Sequence, residues 1–110
     1  MKLLIFLLLV SNFAMAKNVQ GTGTIKNVYF HSKDSVLAAS WKGMLQLEIN
    51  SLSWNEGTDC DTKYVAVREN DVHLVSAILA AKMANQPITV YANDDLKASG
   101  SHCFLRAVGI

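Results

Sequence analysis

Proline and cysteine are nearly absent from this 110-residue chain, which has one Pro and two Cys. A single proline excludes collagen-like repeats and proline-rich recognition tails. Two cysteines exclude a multi-bridge framework and any zinc site built from four thiolates. Charge is also sparse, at 17% of residues, and nearly balanced, with ten basic against nine acidic groups. The basic residues are scattered along the chain rather than clustered, so the electrostatic footprint of a nucleic-acid binder is missing. There are no internal repeats, no low-complexity tracts and no interdomain linker. Long apolar runs are confined to the N-terminus.

That run carries the marks of a secretory signal. Lys2 supplies the positive start, residues 3–10 (LLIFLLLV) are unbroken apolar sequence, and Ala14-Met15-Ala16 is a small-x-small cleavage pattern. Eight apolar residues fall far short of the ~20 needed to span a bilayer. No cysteine follows the run to carry a lipid. Cleavage before Lys17 is expected, with residues 1–16 removed and residues 17–110 forming a single domain of 94 residues. The product is exported, to the periplasm or beyond it, because a signal peptide licenses only the first membrane.

Cys60 and Cys103 both lie in the exported part. An oxidising compartment favours their one intramolecular pairing. The competing reading is a thiol nucleophile served by the adjacent His102.

Strand signals follow from alternation and β-branched content. Residues 24–31 (TIKNVYFH) read as a first strand, preceded by Gly21-Thr22-Gly23. Residues 36–41 fit either a short strand or a loop. Residues 44–50 alternate most cleanly, with Leu45, Leu47 and Ile49 on one face and Gln46, Glu48 and Asn50 on the other. Residues 51–62 read as a polar loop, and residues 64–68 (YVAVR) as the next strand. Asn70-Asp71 then supplies an N-cap for a helix over residues 72–84. Val72, Val75, Leu79 and Met83, widened by Ile78, form its expected core stripe. Asn85 suits a left-handed end, and Pro87 forbids continuation. Residues 88–92 and 103–109 are the last strands, joined by a loop over residues 93–102. One helix before the last two of five or six strands predicts a mainly β, α+β domain or a small, partly open barrel. Ala77, Ala80, Ala81 and Ala84 spread around the helix beyond its stripe. They either admit another backbone closely or simply face water, since Ala is the best helix former.

The layout resembles the B subunits of subtilase-type cytotoxins and small exported bacterial proteins related to them. The resemblance spans residues 21–110. It rests on the helix-to-strand segment of residues 74–91, with its Asn-Gln-Pro-Ile-Thr-Val-Tyr exit, and on the Cys-led final strand. It implies an oligosaccharide-binding-type (OB) barrel with one helix and a homopentameric ring whose helices face a central pore. Glycan recognition would lie on the outer barrel surface, and Ala77, Ala80, Ala81 and Ala84 would pack between subunits. Thr22 and Thr24 would offer the sugar a hydroxyl, although no acidic residue precedes the strand as it does in the toxin subunits.

Catalytic constellations are missing. His31, His73 and His102 lack metal-ligand spacing, and no Gly-x-Ser-x-Gly elbow occurs. Glu56, Asp59 and Asp61, and separately Asp94-Asp95, are acidic groups, but their spacing matches no calcium loop. No enzyme, cofactor or metal is expected. Trp41, Trp54 and Tyr29 are either core side chains or faces for stacking on a sugar, and Trp54, in the polar Ser-Trp-Asn-Glu-Gly stretch, is the first choice for a contact. The leading expectation is a non-catalytic, ring-forming, glycan-binding module. The alternative is a monomeric periplasmic interaction or inhibitor protein with no toxin role.

Overall fold

The computed structural model describes residues 17–34 and 41–110. The expected signal segment, residues 1–16, and the strand-or-loop stretch up to residue 40 lie outside the described residues. The elements run β1 (Asn18–Phe30), β2 (Leu45–Trp54), β3 (Tyr64–Val67), α1 (Val72–Ala84), β4 (Pro87–Ser99) and β5 (His102–Gly109). The strands close into a barrel in the order β1-β2-β3-β5-β4. This is the expected OB-like barrel with one helix before the last two strands.

Closure depends on β1. Its first half pairs antiparallel with β4, from Asn18 opposite Asn93 to Thr24 opposite Pro87. From Gly21 onward its other edge pairs with β2, from Gly21 opposite Trp54 to Phe30 opposite Leu45. Register shifts between Thr22 and Thr24 and between Ile25 and Asn27 bend the strand across the two neighbours. Gly21 and Gly23 therefore lie inside β1 rather than before it. A Cβ on Gly23 would sit 2.4 Å from Ile49 Cγ2 and 2.9 Å from the Asn50 carbonyl oxygen. Only glycine allows β1 to approach β2 so closely at this corner.

The barrel core holds the predicted inward row Leu45, Leu47 and Ile49, together with Val65, Val67, Val90 and Leu105. Helix α1 covers one end of it. Its buried residues are Leu74, Ile78 and Ala81, at i, i+4 and i+7. The expected stripe is thus rotated around the helix: Ile78 is in the core, but Val72 is 67% exposed and Met83 87% exposed. Asp71 occupies the N-cap position without a side-chain hydrogen bond, and Asn85 ends the helix in the left-handed conformation. Strand β4 extends through Ser99, where a loop was expected. Pairing of Lys97 with Cys103 carries the ladder nearly to the turn.

The weakest closure is β3 against β5, a parallel contact with a single register pair, Ala66 opposite Phe104. Next to this seam the Cys60–Cys103 disulfide ties the β2–β3 loop to the start of β5. Beside it, the Asp61 amide donates to the Ser101 carbonyl at 2.8 Å.

Candidate functional site

Of the four residues predicted to contact a sugar, Thr22, Thr24 and Trp54 lie towards one end of the β1–β2 pair and Tyr29 lies at the other. Gly21 pairs with Trp54, Thr22 with Ser53 and Thr24 with Asn50, whereas Tyr29 pairs with Gln46. Gln46 and Trp54 are eight residues apart on β2, so Tyr29 lies about 26 Å from the Trp54 end at ~3.3 Å per residue. Thr22 is exposed and Thr24 half-buried. Trp54 packs against the core and donates its indole N–H to the Asp61 carbonyl at 3.1 Å. Its indole thus helps to hold the β2–β3 loop against the barrel.

Tyr29 belongs to a polar network centred on Glu48, the only buried charged side chain among the described residues. Asn27 Nδ2 donates to Glu48 Oε1 at 3.0 Å, and the Tyr29 hydroxyl donates to the same oxygen at 3.3 Å. The ammonium groups of Lys26 and Lys63 lie 3.6 and 3.7 Å from Oε2. The Asn27 hydrogen bond, followed by the two lysines and Tyr29, holds this carboxyl below its ordinary range against the opposing effect of burial. Partial burial and the facing carboxylate push the Tyr29 phenol up. A carboxyl so stabilised stays ionised at neutral pH, which suits a structural anion and not a general acid. Alternation placed Glu48 on the outward face correctly, but no sequence signal marked its burial. The bulge that brings Lys26 and Asn27 over it is a tertiary feature.

Next to this network an aromatic row crosses the outer face. Trp41 stacks on His31 at 5.9 Å and meets His102 at 5.1 Å, and His102 meets Tyr64 edge-on at 5.8 Å. Trp41 is only 7% exposed, so its faces are already spent on the protein itself. The buried His102 Nδ1 has no hydrogen-bond partner among the described residues. Because Cys103 is bonded to Cys60, His102 has no thiol to serve. Among the described residues no group of three His, Cys, Asp or Glu could hold a metal. Asp59 is paired with Lys97, which holds its carboxyl below the ordinary range.

Of the four alanines, Ala81 is in the core at 1% exposure, Ala77 is half-buried, and Ala80 and Ala84 are exposed. Ala81 is therefore spent on the barrel core. Exposed beside Ala80 and Ala84 are Leu79 and Met83, with Val72 about two turns before Leu79. Val72 also lines a groove of about 200 Å³ with Phe30, which is 65% exposed. No helix among the described residues is long and apolar enough to cross a membrane. Comparison with protein-family models, curated proteins and solved structures finds no match.

Proposed function

We propose that this protein is an exported, non-catalytic binding module that self-associates through α1 and recognises glycans on the outer surface of its barrel. The observation that carries self-association is the helix itself. It is apolar on nearly every side, its only ionisable residues being His73 and Lys82, yet the barrel buries one stripe. A helix apolar all round is normally covered all round. A second copy of the chain suits the uncovered face. The projecting Leu79 and Met83 stand beside the small Ser76, Ala80 and Ala84, so one helix offers both knobs and the space to receive them.

At ~1.5 Å rise per residue the helix is about 20 Å long and about 10 Å across, so one face offers roughly 200 Å², less than the ~800 Å² per partner of a standard interface. The adjoining groove at Val72 and Phe30 supplies more apolar surface for the same contact. A single bridge across a small barrel suits an exported domain, and the resemblance to toxin B subunits supplies the expectation of glycan binding.

Light scattering after size exclusion tests the assembly. The expected species is several times the monomer mass, and the double variant Leu79→Lys/Met83→Lys should return it to a folded monomer whose melting temperature no longer depends on protein concentration. A wild-type monomer at tens of micromolar would leave the interaction or inhibitor alternative in place of the ring.

A further inference from the structure

The polar groups around Glu48 are satisfied from within and the faces of Trp41 are covered by His31 and His102, but one depression is open. It has a volume of about 410 Å³ and is lined by Asn18 and Gln20 of β1, Asn55 after β2, Tyr91 of β4 and Arg106 of β5. That size lies in the ~300–1,000 Å³ range of small-molecule sites.

Its shape follows from a bulge. Tyr91 pairs with Ala107, and the next residue, Ala92, pairs with Leu105. Arg106 is therefore an extra residue opposite that step, and bulges of this kind re-aim a side chain out of the ladder. Arg106 is exposed and has no hydrogen-bond or ion-pair partner among the described residues.

The polar groups around it are positioned but only half used. Asn55 accepts the Gln20 amide on its Oδ1 at 3.0 Å, and its own amide donates to the Gln20 carbonyl at 2.7 Å. This fixes the side chain while leaving Nδ2 uncommitted. Asn18 accepts from Asn93 on Oδ1 at 3.0 Å, again leaving Nδ2 uncommitted. Tyr91 is 40% exposed, and its hydroxyl makes no hydrogen bond among the described residues. No lining residue is acidic. The site is thus rich in donors, carries one positive charge and contains an exposed aromatic ring.

The geometry points to a hexuronic acid unit as the ligand of this depression. The planar carboxylate matches the guanidinium fork of Arg106. The ring hydroxyls would accept from the two free amides, and the apolar face of the pyranose would lie on Tyr91. This inference rests on the glycan-binding reading above and gives it a place and a ligand class.

Amide chemical-shift titration of the purified protein with methyl glucuronide tests it, with methyl glucoside and sodium acetate as controls. Shifts should centre on Asn18, Gln20, Asn55 and Arg106. The glucoside and acetate should bind at least tenfold more weakly. Arg106→Gln and Tyr91→Ala should each lose tenfold or more, with Arg106→Lys between them and wild type. If acetate matches the uronide, the site is a charge contact only and the inference is overturned. It is likewise overturned if neutral glycosides bind equally and Arg106→Gln has no effect, or if a glycan binds elsewhere on the barrel; in both cases the glycan reading survives. No response to any glycoside, together with an empty glycan array, would overturn both.

Discussion

Breaking the Cys60–Cys103 bridge should lower the melting temperature about as much as a severe core truncation. The bridge closes a loop with a sequence separation of 43, and in the chain-entropy model such a loop restricts the unfolded chain by about 4 kcal/mol. For a domain of under a hundred residues each kcal/mol shifts the midpoint by roughly 4–8 °C, so a fall of about 15–30 °C follows. The location of the bridge argues against a smaller effect. It ties the loop just before β3 to β5, and the ladder between those two strands has one register pair, so little else resists the opening of the barrel there. Thermal unfolding of the oxidised protein, the reductant-treated protein and the Cys60→Ala/Cys103→Ala variant measures the difference. A midpoint shift below about 5 °C would refute the reasoning, because it would mean that the seam holds without its covalent tie.

Other consequences can be read in parallel. Ile78→Ala should cost about 2–5 kcal/mol in a denaturant melt, as expected for a large-to-small change in a core, since Ile78 is fully buried. Met83→Ala should leave the stability of a single subunit within about 0.5 kcal/mol, and equal losses for the two variants would mean that the helix faces are misassigned. Gly23→Ala should destabilise by about 1–3 kcal/mol or more through overpacking, because its Cβ would meet Ile49 and the Asn50 carbonyl; an unchanged midpoint would show that the β1 corner can relax. Glu48, whose native pKa is lowered, stabilises the fold in full above the ordinary carboxylate value of about 4.3 and loses that contribution as pH falls through its native pKa. Glu48→Gln should therefore flatten the acid limb of the stability–pH profile, and an unaltered limb would place the acid sensitivity elsewhere.

Much of the architecture is set locally and can be read without the fold. The inward row Leu45, Leu47 and Ile49 was legible because a strand with one wet face alternates. The helix over Val72–Ala84 was legible because Asn85 and Pro87 stop it. The disulfide was legible because two cysteines allow a single intramolecular pairing. What remained hidden depends on how elements meet. A helix apolar all round has no periodicity to say which stripe faces the barrel, so Leu74, Ile78 and Ala81 were chosen by the shape of the barrel end. The extension of β4 to Ser99 overrode a Gly/Ser loop signal, because pairing with β5 satisfies its backbone. The burial of Glu48 and the exposure of Arg106 each follow from a β-bulge, one in β1 and one in β5. A bulge is a mismatch between two strands, and one strand read alone carries no trace of it.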